Sequence, residues 1–173
     1  FFKPGLSQAK VFDRLKYLRA LASSFPCSLN SINAFLADAR ELSFPDNFFD
    51  FIVSSPPYIN VFNYHQQYRA STEALGWDLI SVARSEIGSN RKFRQNRFFT
   101  IIQYCLDIAM ALNELHRVCK DTAKIIFVIG RESNVKKTPF YNGALFQAIA
   151  TRACSFNLIL SQERVFQNKF GQQ

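Results

Sequence analysis

The sequence predicts an α/β fold of the doubly wound type, in which a mostly parallel sheet carries helices on both faces. Two observations predict it: several segments have apolar residues at helical spacing, and short continuous apolar runs alternate with them. The 173 residues include 19 phenylalanines and are 48% hydrophobic, which suits one buried core and argues against a disordered chain. We therefore expect residues 1–173 to form a single domain.

The first part of the chain is predicted to contain one long helix and two strands. Residues 8–24 carry apolar side chains at helical spacing, and Pro26 ends the pattern. Ala34–Ala37 and Phe48–Val53 are short apolar runs, which are typical of buried strands.

The middle of the chain, residues 59–98, has a different composition. It is polar, aromatic and basic, and its apolar residues follow no sustained period. We expect an inserted region with short helices near 64–74 and 78–86.

The last part of the chain returns to alternating helices and strands. Residues 99–119 follow one helical face, and residues 143–152 form a second predicted helix. Between them, Ile125–Ile129 is a continuous apolar run of the kind that forms a central parallel strand, and Phe156–Leu160 predicts a final strand.

A compact motif, Ser55-Pro56-Pro57-Tyr58, follows the Phe48–Val53 strand directly. Proline fixes φ and has no N–H, so the backbone here is rigid and rich in acceptors. Tyr58 adds a flat face on which a base can stack. Open α/β sheets bind their ligands at the carboxyl ends of the strands, where this motif lies. Taken alone, the four residues are equally compatible with a rigid turn.

The charge of the chain indicates a polyanionic partner. The net charge is +8 and the isoelectric point is near 9.5. Arg91, Lys92 and Arg94 are concentrated in one segment, where they either form a solvated loop or contact phosphates.

Other classes of protein are disfavoured by the same composition. The four cysteines are scattered without C-x-x-C spacing, and the two histidines lack nearby ligand partners, so we expect reduced thiols, no metal site and a cytoplasmic location. The chain also lacks an apolar run of the eighteen or so residues that a membrane span needs, so we expect no membrane partner.

Residues around the motif make the interpretation more specific. An acidic residue, Asp38, lies in the segment Leu36–Leu42, ahead of the strand that ends in Ser55–Tyr58, and further matches follow at Glu114–Val118 and Ile125–Gly130. This ordered set resembles the DNA amino-methyltransferase family. The resemblance extends over most of residues 34–165. It implies a Rossmann-like sheet and S-adenosylmethionine as the cofactor.

The resemblance also implies roles for individual residues. Ser55 and the Pro56 carbonyl would accept hydrogen bonds from the exocyclic amine of an extruded base, Pro57 would hold the turn, and Tyr58 would stack on the base. The cofactor-binding residues would be Asp38, Ala39 and Ser54. Double-stranded DNA would be contacted by side chains in or after the motif, namely Tyr64, Arg69, Arg91, Lys92 and Arg94.

One family feature is missing from the sequence. Relatives carry a Gly-rich loop that cradles the methionine part of the cofactor, whereas none of the six glycines here forms a G-x-G. The chain also begins without Met. We therefore expect the catalytic domain to be incomplete at its N-terminus, with the loop supplied by an upstream segment, by a second polypeptide or by a permuted order.

Three hypotheses remain open on the sequence alone. The first is a DNA methyltransferase of a restriction–modification system, specific for cytosine N4 because of Ser55, with adenine N6 as the alternative base. The second is an RNA base methyltransferase of the same fold. The third is a DNA-binding subunit or fragment that is catalytically incomplete.

Overall fold

The computed structural model describes residues 7–26, 29–59, 64–88, 96 and 98–164. Within these residues the chain forms six helices and four strands. In order, they are α1 (Gln8–Ser24), β1 (Phe49–Ser54), α2 (Tyr64–Gln67), α3 (Arg69–Ala74), α4 (Leu79–Ser85), α5 (Phe98–Val118), β2 (Cys119–Phe127), β3 (Glu132–Val135), β4 (Thr138–Tyr141) and α6 (Asn142–Ala153).

The two longest strands, β1 and β2, form a parallel pair. Val53 pairs with Ile126 and Ser54 with Phe127, so both strands end at the same edge. Parallel neighbours need a crossover connection, which here contains the short helices and α5. The carboxyl ends of β1 and β2 therefore lie side by side.

The beginning of β2 is irregular. Phe49 pairs with Cys119 but Phe51 pairs with Lys124, so β2 contains a bulge within its first half. Residues Lys120–Lys124 belong to the strand, which continues through them to Phe127.

Strands β3 and β4 form a second, antiparallel sheet. Their connection is Lys136-Lys137, and both lysines have positive φ, at 50° and 67°. Two consecutive positive φ values twist a two-residue loop in the sense that a hairpin requires, although Asn-Gly is the usual sequence. The sequence analysis missed this hairpin because Lys-Lys is not a turn signal.

Helix α5 lies at the centre of the hydrophobic core. Its buried face carries Tyr104, Ile108 and Leu112, which pack with Phe146 of α6 and with Ile59. Among the described residues, α5 is the one helix long and apolar enough by composition to cross a bilayer. Asp107 on its buried face is ion-paired, and the helix contacts α6 and β2.

The β1–β2 sheet has one covered face and one exposed face. Phe127 and Ile129 pack against the core, and the Phe127 ring lies 4.7 Å from the ring of Phe146. On the opposite face, four apolar side chains are 49% to 63% exposed, namely Phe51, Val53, Ile126 and Val128. Helix α1 buries none of its residues. The doubly wound arrangement, with helices on both faces of one larger sheet, therefore stays a prediction.

Most predicted elements are confirmed. The helices predicted at 8–24, 64–74, 78–86, 99–119 and 143–152 correspond to α1 to α6, and the strand at 48–53 corresponds to β1. The predicted strand at 125–129 overlaps the end of β2.

Two predicted strands are wrong. Ala34–Ala37 and Phe156–Leu160 are not strands, and except for Phe156, which packs against the core, their large apolar side chains are mostly exposed, Leu36 at 91%. A strand exists only where a neighbouring strand completes its ladder of hydrogen bonds, and an apolar run does not reveal whether such a neighbour is present.

The start of β1 is fixed by an ion-paired network at the end of α5. Glu114 accepts hydrogen bonds from the Leu42 amide at 2.7 Å and from Arg117 at 2.6 and 2.9 Å. Arg117 donates in turn to the Leu42 carbonyl and pairs with Asp46. The backbone N–H of Phe48 continues the attachment by donating to Val118.

We predict that this network makes the free energy of unfolding depend on pH in the acidic range. The hydrogen bonds from Arg117 lower the pKa of Glu114 from 4.5 to about 2. A lowered pKa in the folded state means that the unfolded chain takes up the proton first. The stabilisation is therefore complete above pH 4.5 and is lost as the pH falls toward 2. Urea unfolding of wild type and Glu114→Gln should show a stability difference that shrinks across this window. The exposed Glu163→Gln should show no such change, and a constant difference for Glu114→Gln would contradict the account.

We also predict opposite tolerance of charge on the two sheet faces. Ile126→Lys places the ammonium on the exposed face, so the free energy of unfolding should change by no more than about 0.5 kcal/mol. Ile129→Lys is the matched change on the covered side and should cost about 2 kcal/mol or more, because it buries a charge. Chemical denaturation of both variants measures the free energy of unfolding. Equal losses of this free energy would contradict the assignment of one exposed and one covered face.

Candidate functional site

The hydroxyl of Ser55 lies where the ends of β1 and β2 meet. Its Oγ donates to the carbonyl of Val128 at 3.0 Å and lies 3.3 Å from the hydroxyl of Tyr58. The Tyr58 hydroxyl is 3.5 Å from the same carbonyl. Val128 follows β2, and its backbone N–H donates to Ser54 at 3.0 Å, which continues the parallel pairing into the site. Both ends of the motif therefore converge on one carbonyl group.

The Ser55 hydroxyl can act as an acceptor in this arrangement. A serine hydroxyl has one hydrogen and two acceptor positions. The Val128 carbonyl can only accept, so Ser55 donates in its hydrogen bond to this group, and its oxygen then keeps acceptor positions for other groups, among them the Tyr58 hydroxyl at 3.3 Å. Ser55 is exposed, so an amine from outside the chain can reach it.

Two glycines make room for Tyr58. A Cβ atom at Gly130 would lie 2.9 Å from the Tyr58 ring, and a Cβ at Gly88 would lie 2.9 Å from the Tyr58 carbonyl oxygen. Gly88 also has a φ of 76°, which disfavours any other residue. The half-buried tyrosine ring is thus seated against the backbone that follows β2.

A separate cleft surrounds Asp38. It has a volume of about 420 Å³, and its walls are formed by Leu36, Ala37, Asp38, Ala39, Ser85 and Ile87. Asp38 lines the cleft, and its side chain is 44% exposed. Two of the three predicted cofactor-binding residues, Asp38 and Ala39, therefore share one cavity.

The carboxylate of Asp38 is held by Arg40. Asp38 Oδ1 accepts from the Arg40 backbone N–H and from Nε, both at 2.9 Å, and Oδ2 accepts from Nη2 at 2.6 Å. Arg40 also donates to Asp107 at 2.8 Å and to the Ser85 carbonyl at 3.2 Å. The hydrogen bonds that Arg40 donates to carboxylates, to Asp38 first and then to Asp107, raise the pKa of Arg40 above its ordinary value.

Residues 85–88 connect the cleft to the serine–proline motif. Ser85 and Ile87 line the cleft, and the next residue, Gly88, lies against the backbone of Tyr58. Between them, Glu86 accepts from the backbone N–H of His65 at 2.6 Å and contacts its Nδ1 at 2.7 Å. One short segment therefore contacts the cleft, the motif and helix α2.

The remaining predicted site residues lie elsewhere on the described chain. Ser54 ends β1 and is exposed. The ring of Tyr64 stacks parallel to that of Tyr68 at 6.5 Å, and Arg69 pairs with Glu73 one turn along α3. Arg91, Lys92 and Arg94 lie outside the described residues, so their predicted contact with DNA stays a prediction.

Sequence reasoning assigned no specific role to several residues that build the site. Arg40 and Val128 lie in segments that carry the resemblance, but the sequence does not show that Arg40 pairs with Asp107 or that Ser55 meets the Val128 carbonyl. The sequence does place Gly130 at the end of a strand that should face the site, and a glycine there often marks a close approach. Within the described part of the chain, no group of three His, Cys, Asp or Glu side chains is arranged to hold a metal ion.

We predict that Gly130→Ala displaces the ring of Tyr58, because the added Cβ cannot occupy a position 2.9 Å from it. The matched control is Gly143→Ala, whose Cβ would meet nothing within 4 Å. Aromatic NMR signals of Tyr58, assigned with Tyr58→Phe, should shift in Gly130→Ala and stay unchanged in Gly143→Ala. Unchanged Tyr58 signals in both variants would contradict the seating described above.

Comparison with known proteins gave no match: no protein-family model, curated protein or solved structure matches the chain. The function is therefore inferred from the geometry of the Ser55–Tyr58 motif and of the cleft beside Asp38, together with the sequence resemblance.

Proposed function

We propose that the chain is the catalytic part of an S-adenosylmethionine-dependent DNA methyltransferase, which modifies the exocyclic amine of a flipped base. The observation that carries the proposal is the position of the Ser55 hydroxyl, which is exposed at the carboxyl edge of a parallel strand pair and lies 3.0 Å from the Val128 carbonyl. Cytosine N4 is the favoured target because position 55 is serine, and adenine N6 is the alternative.

The chemistry requires an acceptor at this point. The lone pair of an exocyclic amine is conjugated with the ring, so the nitrogen is a poor nucleophile. Hydrogen bonds from the amine to Ser55 Oγ and to the Pro56 carbonyl would draw the nitrogen toward tetrahedral geometry. Positioned acceptors of this kind act on charge that develops as the amine attacks. No covalent intermediate with the protein is required.

Tyr58 and the two prolines would hold the base. A base reaches this site only after it leaves the duplex, and stacking on an aromatic ring offsets part of that cost. Base–aromatic stacking contributes about 1–3 kcal/mol per base. Pro56 and Pro57 restrict the backbone between the acceptor and the ring, so both contacts are formed by one rigid unit.

The cleft beside Asp38 suits the adenosine part of the cofactor. It is a shallow cleft of about 420 Å³ that is largely open to solvent, so it would hold one side of the adenosine and leave the other side uncovered. Asp38 would accept from the adenine amino group, Ala39 would contact the ring from the adjoining wall, and Ser54 would lie toward the methionine end. When bound, S-adenosylmethionine supplies the electrophilic methyl group. The residues present therefore fit the adenosine half of this cofactor.

Double-stranded DNA is the proposed partner. The net charge of +8 favours association with phosphates. Tyr64 and Arg69 expose an aromatic ring and a cation on the helices that follow the motif. Arg91, Lys92 and Arg94 would add phosphate contacts. We place the activity in the cytoplasm, in a restriction–modification system.

A second candidate is a catalytic part that needs another polypeptide segment. It is favoured by the exposed apolar face of the β1–β2 sheet, where Phe51, Val53, Ile126 and Val128 lie open to solvent. An additional strand and helix bearing the Gly-rich loop would cover such a face and complete the cofactor site. In that case the chain alone would bind DNA without transferring methyl groups.

We predict that Ser55→Ala and Tyr58→Ala each lower methyl transfer by roughly 10²-fold while leaving the fold intact, in line with the loss of one preorganised contact. The controls are Ser71→Ala and Tyr17→Ala, at exposed helical positions. The measurement is nucleoside mass spectrometry of DNA incubated with each variant and S-adenosylmethionine.

The outcome separates the two candidates. Transfer by wild type that both site variants lose supports the complete enzyme. DNA binding by wild type without transfer supports the second candidate. Transfer that survives in both Ser55→Ala and Tyr58→Ala would contradict the proposed mechanism.

A further inference from the structure

We propose that Arg40 is a positioning residue that makes the cleft selective for an amino-bearing purine. It does so by locking the carboxylate of Asp38 in the cleft wall through a second attachment to Asp107 in helix α5. The inference rests on the proposed cofactor site and deepens it, because it names the group on which selectivity depends.

The contact between Arg40 and Asp38 constrains the carboxylate in two directions. One oxygen accepts from Nε and from the Arg40 backbone N–H, and the other accepts from Nη2. A planar guanidinium that meets both oxygens fixes the plane of the carboxylate as well as its position. Lysine, a single point charge, could not impose the same orientation.

Arg40 is itself anchored in the core. The Arg40 side chain is only 16% exposed, and its partner Asp107 is 3% exposed. Gln103, one turn earlier on α5, also donates to Asp107 at 3.1 Å. The carboxylate of Asp38 is therefore connected to the central helix, although the Asp38 backbone lies in an exposed segment.

The locked carboxylate has a definite chemical preference. An ionised carboxylate accepts hydrogen bonds and donates none. A purine with an amino group at position 6 offers it a donor, whereas a 6-oxo purine places an acceptor oxygen at the same point, which the carboxylate repels. The 6-oxo purine has a donor at N1–H, but the ring must shift to bring that donor to a carboxylate that Arg40 holds in place. If Asp38 could turn away from the cleft, this penalty on the 6-oxo purine would disappear.

A purely structural role for Arg40 predicts something different. In that case, replacing Arg40 would loosen the whole segment and weaken the binding of both purines by the same factor. The ratio of the two affinities therefore separates positioning from general support, since only positioning changes the ratio.

The test is calorimetric titration with S-adenosylhomocysteine and with its 6-oxo analogue, S-inosylhomocysteine. Wild type should prefer the amino form by roughly 10- to 100-fold, the effect of one hydrogen bond to a charged group. Arg40→Met should bring the ratio close to 1, as should Asp38→Asn, and Arg40→Lys should give an intermediate value. Arg152→Met, at an exposed position on α6, is the control and should keep the wild-type ratio.

A further variant guards against loss of the fold. Arg40→Met leaves the buried Asp107 without its cation, which is costly. Arg40→Met combined with Asp107→Leu removes that charge as well and should also lose the preference while remaining folded.

Each remaining outcome has a definite meaning. A folded Arg40→Met or double variant with the wild-type ratio would overturn the positioning role and leave the proposed function standing. Equal binding of both ligands by wild type would overturn the role of Asp38. Binding of neither ligand by wild type would overturn the cofactor site together with this inference.

Discussion

The parallel pairing of β1 with β2 is the constraint on which the rest of the structure depends. It brings the ends of two strands, far apart in the sequence, to one edge, where Val128 donates to Ser54 and accepts from Ser55. Without this register, the Ser55 hydroxyl would lose its hydrogen bond to the Val128 carbonyl, and the Tyr58 ring would lose its contact with the backbone of Gly130. The attachment of Glu114 and Arg117 to the residues before β1 sets where that strand begins. Long-range packing, more than the motif itself, therefore creates the acceptor geometry.

A second set of contacts connects the cleft to this edge. Residues 85–88 line the cleft on one side and support Tyr58 on the other, while Arg40 fastens Asp38 to α5. The proposed methyl transfer would need the methyl donor and the acceptor amine to be held in line. A rigid connection between the cleft and the Ser55–Tyr58 motif would serve that alignment. The ion pair of Arg40 with the buried Asp107 restrains the segment around Asp38, which is otherwise exposed to solvent.

The sequence predicted the elements whose signal is local. Helix α5 follows from its apolar period, and β1 follows from an apolar run that ends in Ser55–Tyr58. The prediction from sequence failed where an element depends on a neighbouring segment. Ala34–Ala37 has the composition of a strand but has no neighbouring strand to bond with. The β3–β4 hairpin turns at two lysines, which are not a turn signal. Asp38 and Ala39 were predicted as site residues, but the Arg40–Asp107 pair spans 67 positions and leaves no local trace.

The central claim is that this chain transfers a methyl group to a base amine, and one measurement tests it most directly. DNA would be incubated with the chain and trideuteromethyl-labelled S-adenosylmethionine, digested to nucleosides and analysed by mass spectrometry. The account predicts labelled N4-methylcytosine, or labelled N6-methyladenine if the alternative base is correct. Absence of any labelled nucleoside, from a folded chain that binds both the cofactor and DNA, would contradict it.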